Sequence, residues 1–271
     1  MLIHPQFDPV ALQLGPLAIH WYGITYLAAF AMFVGLARLR LTHTPYAQEV
    51  AQGTWSKQDI EDILFYGVMG VIVGGRLGYC LFYKPGYYFE HPLEVFAVWQ
   101  GGMSFHGGLM GVCCALAIFA WRRRRHLLDV FDFAAALPGI GIFCGRIGNF
   151  INGELWGKPT DVPWGFLVTA PDGTALVLHA SQLYEGVLEG LCLFAIVWWF
   201  SSKPRPRGAV SGVFLVVYAL ARILVEFVRV PDAQLGYLSG QWLTMGMVLS
   251  LPMLFIGGFL IWRAYRLEKS A

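Results

Sequence analysis

Long apolar stretches separated by short polar connections set the pattern of this chain. Seven of them are long enough to cross a bilayer as helices, which takes about 20 residues each. They fall near 17–37, 61–83, 105–121, 130–150, 180–200, 209–229 and 241–262. A different pattern follows the fourth. In GKPTDVPWGFLVTAPDGTALVLH, two short β-prone runs, WGFLVT and TALVLH, flank a Pro171-Asp172-Gly173 turn, which predicts a hairpin. Along the second stretch Gly67, Gly70, Gly74 and Gly78 recur at helical spacing, which suits close helix packing. The expected fold is an all-α polytopic membrane protein of seven transmembrane helices. It forms a single domain over 1–271, with a small head carrying a short β-hairpin inserted at about 151–179.

Composition supports the membrane reading: 57% of the 271 residues are hydrophobic and 13% charged, with a mean hydropathy of +0.57. Soluble domains carry roughly twice that charged fraction. The start, MLIHPQFDPV, lacks a basic region followed by an apolar one, so the first hydrophobic segment is expected to stay in the protein. All five cysteines lie in apolar segments and none has zinc-site spacing, so no loop disulfide framework, metal or cofactor is expected. Nor is a nucleic-acid partner. Arg38, Arg40, Lys57, Arg122 to Arg125, Lys203, Arg205, Arg207, Arg263, Arg266 and Lys269 occupy alternate connections, and together make 13 of the 19 basic residues. The positive-inside rule then puts the amino terminus and the head outside and the carboxyl terminus in the cytoplasm.

Four arginines remain, Arg76, Arg146, Arg222 and Arg229, inside or at the edges of the spans. An arginine at a span centre costs about 3 kcal/mol or more, which is tolerated when it pairs with a carboxylate or faces a wet cavity. Glu185, Glu189 and Glu226 are available partners. One embedded arginine fits a structural ion pair; four favour a cavity that handles an anion. Arg146 opens the stretch GRIGNFINGELWG, where Asn149 lies three residues on and shares its helical face. A guanidinium and a carboxamide beside glycines suit an anionic headgroup; an interfacial arginine that snorkels beside a helix-ending glycine turn is the plainer alternative. Tyr218, Arg222, Glu226 and Arg229, spaced by four, four and three, form one polar stripe. Counting Arg146, Arg222 and Arg229 against Glu226 and Glu154 leaves one positive charge, which a phosphodiester would neutralise.

His106, in GGMSFHGG, is flanked by glycine pairs that leave its ring approachable, as a general base requires. The alternative is an interfacial histidine bonded to a carbonyl. Tyr22, in HWYG, reads from the residues alone as an aromatic-belt side chain, and His179 as part of the start of a helix.

Taken together, these motifs resemble the bacterial phosphatidylglycerol–prolipoprotein diacylglyceryl transferases. GRIGNFINGELWG matches that family's signature, and HWYG, GGMSFHGG, HASQLYE and YALARILVEFVRVPDAQ resemble its other motifs in the same order. HASQLYE has Ala180 where the family pattern has proline. The resemblance implies transfer of a diacylglyceryl group from phosphatidylglycerol to the lipobox cysteine of a preprolipoprotein signal peptide. This is the first step of lipoprotein maturation; it forms a thioether and releases glycerol phosphate. It also implies a multi-pass protein of the bacterial inner membrane, with the active site toward the periplasm, among membrane lipids; the sequence does not fix the oligomeric state, and a working monomer is the simplest arrangement. The family's essential residues fall on Tyr22, His106, Arg146, Asn149, Glu154, Gly157, Tyr218, Arg222, Glu226 and Arg229. On that basis His106 is the general base, Arg146 and Arg222 hold the phosphate, Asn149 and Tyr218 orient it, and Arg229 and Glu226 support them. Two other classes would also use embedded arginines. A lipid transporter should show symmetric halves and paired broken helices, and the sequence shows neither. A helix-pairing scaffold would leave His106 and the 145–157 motif without a purpose.

Overall fold

The computed structural model describes residues 1–169, 173–231 and 236–269; Pro171 and Asp172 of the expected turn, and the Asp232-Ala233-Gln234 end of the last motif, lie outside them. The strands are β1 (Leu2–Ile3), β2 (Val10–Leu14), β3 (Leu17–His20), β4 (Phe166–Thr169) and β5 (Ala175–Leu178). The principal helices are α1 (Trp21–Leu41), α2 (Lys57–Phe82), α3 (Phe105–Arg122), α4 (Leu127–Ala135), α5 (Pro138–Ile151), α6 (Ser181–Phe200), α7 (Ala209–Glu226) and α8 (Met245–Glu268). Among the described residues six helices are long and apolar enough to span a membrane. The count reaches seven if α4 and α5, bent by 44° at a short break, form one span. Pro138 at the first position of α5 accounts for the break, because its ring cannot continue the preceding turn. The chain divides into two compact units, Met1–Leu36 with Asp132–Ala271, and Ala37–Phe131.

In the Ala37–Phe131 unit, Ser56 and Asp59 cap α2 reciprocally: Ser56 N donates to Asp59 Oδ2 at 2.7 Å and Asp59 N to Ser56 Oγ at 3.3 Å. The expected glycine face packs α2 on α3. A Cβ added at Gly70 would lie 2.7 Å from Gly111 O, and one at Gly78 would lie 2.8 Å from Gly107 Cα. Gly67 faces open space and is not part of this contact. Arg76 has a different role from the anion-handling one considered for it. Its guanidinium donates to the carbonyls of Val95 (2.9 Å), Glu94 (2.6 Å) and Gly101, and it lies over the Tyr88 ring. Carbonyl oxygens satisfy its donors, so it fastens the 94–102 loop to α2.

In the other unit, α5, α6, α7 and α8 pack side by side. Gly139 and Gly190 bring α5 against α6, where a Cβ on Gly139 would sit 2.7 Å from Gly190 O. Gly212 and Gly257 do the same for α7 and α8, each 2.8 Å from the other's carbonyl oxygen on the same construction. Asp132, from α4, accepts from Gly208 N (2.6 Å), Ser211 N (2.8 Å) and Ser211 Oγ (2.6 Å). It thereby caps α7, whose own cap residue is a glycine.

The hairpin forms as expected, with β4 and β5 antiparallel and Phe166 opposite Leu178. The amino terminus adds a strand the sequence did not reveal: β1 runs parallel to β4, pairing Leu2 with Phe166. Residues 17–20, expected inside the first span, are instead β3, paired with β2 around Gly15 at φ +59°. The sixth expected span stops at Glu226, not 229, and the seventh starts at Met245, where Thr244 Oγ1 accepts from Met247 N.

Candidate functional site

The Tyr218–Arg222–Glu226 stripe lies on one face of α7, and Arg229 follows one turn beyond. Two carboxylates from α6 meet this stripe. Arg222 pairs with Glu226 (Nη2–Oε1 2.5 Å), Glu189 (Nη1–Oε1 3.3 Å) and Glu185 (Nη1–Oε2 3.4 Å). Arg146, from α5, pairs with the same Glu185 oxygen at 2.5 Å. Arg229 pairs with Glu226 at 3.4 Å and Glu185 at 3.6 Å. Three arginines and three glutamates from α5, α6, α7 and the turn after α7 thus form one cluster, centred on Glu185.

This geometry corrects the charge tally. Glu154 bonds to the amides of Asn149 and Asn152, and the three arginines pair instead with Glu185, Glu189 and Glu226, so the six groups balance with no positive charge left over. The charges are nevertheless unevenly placed. The side chains of Glu185, Glu189 and Glu226 are 0–1% exposed, whereas those of Arg146, Arg222 and Arg229 are 24%, 14% and 17% exposed. The carboxylates are buried, and the arginine side chains carry what exposure the cluster has. Each guanidinium carries five N–H donors in a fixed fork, so a group held from behind still offers donors outward. A neutral cluster built this way presents local positive potential to an anion without net excess charge.

Local sequence explains the placement. The helix changes type after its first five residues: Ser181–Glu185 is α-helical and Gly186–Cys192 is a π-helix, a rare form concentrated at functional sites. It keeps Glu189 on the face that Glu185 occupies. Gly186 allows the Arg146 side chain to pass, since an added Cβ would lie 3.3 Å from Arg146 Cβ. Gly246 of α8 seats the Glu226 side chain, whose Cδ would lie 2.7 Å from a Cβ there.

The signature stretch extends the cluster. Asn149 Oδ1 accepts from Arg146 Nη1 at 3.4 Å, and its Nδ2 donates to Glu154 Oε2 at 3.3 Å. Asn152 Nδ2 holds the other Glu154 oxygen at 3.2 Å. Gly153 turns the chain at φ +69° to allow this. Gly157 is a clamp: it pairs with Arg229 as an antiparallel bridge, and its N–H donates to His179 O at 2.8 Å. A Cβ there would lie 2.5 Å from Val228 O and 2.9 Å from His179 Cβ. Lys158 adds hydrogen bonds from its N–H to Val228 O and from Nζ to Phe227 O.

Tyr22 is not a free belt residue. Its ring packs against Gly148, where an added Cβ would lie 2.9 Å from Tyr22 Cδ2, and its hydroxyl meets that of Tyr26 at 3.3 Å. Tyr26 in turn lies within the field of Arg146, and Tyr218 within those of Glu189 and Arg222. His179 Nδ1 meets the Tyr184 hydroxyl at 3.2 Å, and burial holds its pKa below the usual imidazole value. His106 belongs to the other unit. It is exposed on the first turn of α3, beside the Phe105 ring, with Ser104 capping that helix by accepting from Gly107 N. Of the ten candidates, eight therefore gather in or around the arginine–glutamate cluster: Arg146, Asn149, Glu154, Gly157, Tyr218, Arg222, Glu226 and Arg229. Tyr22 stands beside α5. Glu185 and Glu189, named from the sequence only as available partners, are its most buried members. Their spacing of four in an apolar span was the signal.

Residues 9–263 match the family described as prolipoprotein diacylglyceryl transferase. The chain is 57% identical over 272 residues to the phosphatidylglycerol–prolipoprotein diacylglyceryl transferase of Polaromonas naphthalenivorans, covering 99% of this chain and 100% of that one. It is 57% identical over 271 residues to the protein of the same description from Cupriavidus metallidurans, covering 100% and 98%. With that of Methylibium petroleiphilum it shares 56% identity over 255 residues, covering 92% and 95%.

Proposed function

The chain belongs to the prolipoprotein diacylglyceryl transferase family and is a membrane-embedded transferase of that kind, and we propose that its arginine–glutamate cluster carries the transfer. The donor is phosphatidylglycerol and the acceptor is the thiol of a prolipoprotein's lipobox cysteine. The thiolate attacks the diacylglycerol carbon that bears the phosphate ester. A C–S bond forms, the C–O bond breaks, and glycerol phosphate leaves with that oxygen. The phosphate carries one negative charge in the diester and gains a second as the bond breaks. Donors aimed at that oxygen stabilise the transition state more than the ground state, which is what accelerates the step.

The observation that carries this reading is the convergence of Arg146 and Arg222, both partly exposed, on one oxygen of the fully buried Glu185. Arg146 and Arg222 hold the phosphate. Asn149, hydrogen-bonded to Arg146, and Tyr218 orient it, while Arg229, Glu226, Glu154 and Gly157 hold the shell in shape. Tyr22 supports α5 beside Arg146. His106 takes the thiol proton, a role that rests on its accessible ring and on the family motif around it. The distribution of basic residues supports a periplasmic site in the inner membrane, with the head at about 151–179 on that side, the whole chain acting as one transmembrane domain. The working unit in this reading is a monomer. The lipid and the membrane-anchored signal peptide both arrive laterally from the bilayer.

Purified protein incubated with labelled phosphatidylglycerol and a lipobox peptide tests these assignments. Arg146→Gln and Arg222→Gln should each lower turnover by roughly 100- to 1,000-fold, far beyond any loss of protein level. Equal losses in both would make the arginines structural. His106→Gln should abolish most transfer; near-normal transfer removes the histidine from the mechanism.

A further inference from the structure

Among the described residues, four buried polar atoms on the helix that carries Glu185 and Glu189 have no hydrogen-bond partner: Gln182 Oε1, Gln182 Nε2, Glu185 Oε1 and Glu189 Oε2. Glu185 Oε1 is 3.6 Å from Arg229 Nε, close enough for charge attraction but beyond hydrogen-bond length. All four atoms lie on α6. The three residues are spaced by three and four, which places them on one helical face. Gln182 is 0% exposed. A buried amide with neither end bonded costs about 1–3 kcal/mol per orphaned group, and a leucine would fill the same space without that cost.

The chemistry of the orphans specifies what would satisfy them. Three are acceptors and one, Gln182 Nε2, is a donor. A ligand group that both donates and accepts answers the set, and an alcohol hydroxyl does so. An ammonium group only donates and leaves Gln182 Nε2 unpaired; a phosphate oxygen only accepts and is repelled by the carboxylates. We propose that this face of α6 binds the hydroxyls of the terminal glycerol in the lipid headgroup, with Gln182 as the residue that selects a polyol headgroup. This deepens the reading above and rests on it: the guanidinium groups take the phosphate, and α6 takes the alcohol end that departs with it. On binding, the headgroup enters between the guanidinium groups to reach the buried face behind them. Gln182 then touches the part of the substrate that becomes the leaving group, and it selects substrate without taking part in bond making.

The test uses the purified full-length enzyme, Gln182→Leu, phosphatidylglycerol, and a phosphatidylpropanol of the same acyl chains, which keeps the phosphate and lacks both hydroxyls. Wild type should prefer phosphatidylglycerol in kcat/KM by about 10- to 100-fold, as expected for one or two hydrogen bonds to buried groups. In Gln182→Leu that ratio should collapse toward one, mainly through KM, while thermal stability holds or rises. Equal loss of kcat/KM on both lipids, or a fall in stability with the ratio preserved, would make Gln182 structural and overturn the proposal. If the propanol lipid is not turned over at all, the same ratio is read from inhibition by sn-glycerol 1-phosphate and propyl phosphate. Propyl phosphate also separates the two readings. If its inhibition of wild type survives Arg222→Gln unchanged, the phosphate assignment fails, whatever Gln182 does.

Discussion

Replacing Glu185 by glutamine removes the carboxylate that three guanidinium groups share. Arg146 lies 2.5 Å from Glu185 Oε2, Arg222 3.4 Å from the same oxygen, and Arg229 3.6 Å from Oε1. The six-group cluster goes from neutral to one excess positive charge, and the lost group is 0% exposed, so solvent cannot screen the change. Removing one partner of a buried pair costs about 3–5 kcal/mol, because the charge left behind remains desolvated. Glu185→Gln should fall in that range, measured by reversible denaturation of the full-length protein in mixed micelles. Glu154→Gln is the control. Glu154 is exposed and, among the described residues, held by the amides of Asn149 and Asn152 at 3.2–3.3 Å, so its loss should cost far less. A double-mutant cycle sharpens the comparison: Arg146→Gln with Glu185→Gln should cost less than the sum of the two, since each partner's loss relieves the other's stranded charge. A Glu185→Gln protein as stable as Glu154→Gln, or an additive double mutant, would refute the cluster as the organising feature of this unit.

Two further outcomes follow from single contacts. Gly157→Ala should lower both stability and turnover, because its Cβ would meet backbone, Val228 O at 2.5 Å, and not the end of a flexible chain; wild-type turnover in that variant would show that the 157–229 clamp does not position Arg229. Burial depresses the pKa of His179, so the folded state favours the neutral ring. Its contribution to stability is therefore full above the ordinary imidazole value and declines as pH falls through about 6.5. His179→Gln should flatten stability between pH 7 and 5; an unchanged slope would reject the linkage.

The spans were legible because a bilayer demands long apolar runs, and the α7 stripe because polar groups every four residues stand out in such a run. What pairs with what across helices was not legible. Glu185 and Glu189 were visible, but their neutralising role depends on α6 meeting α5 and α7. Arg76 looked like the other embedded arginines until its carbonyl partners were seen, and backbone acceptors leave no mark in a sequence. Residues 17–20 are apolar enough to extend α1, yet pairing with Val10–Leu14 makes them a strand. The two-residue strand at the amino terminus finds its partner more than 160 positions away, beyond any local pattern. Gly157 could be singled out by family likeness, but its reason, the close approach of Val228, belongs to the fold.

Arg146→Lys tests the central claim most directly. Arg146 is the most exposed of the three arginines, and lysine keeps the charge facing Glu185 while losing the planar fork that grips a phosphate from two sides. At saturating phosphatidylglycerol and lipobox peptide, the account predicts a fall in kcat of about 100-fold or more, with unfolding stability close to wild type. A variant that keeps kcat within a few-fold of wild type would contradict it, because the phosphate would then be held elsewhere.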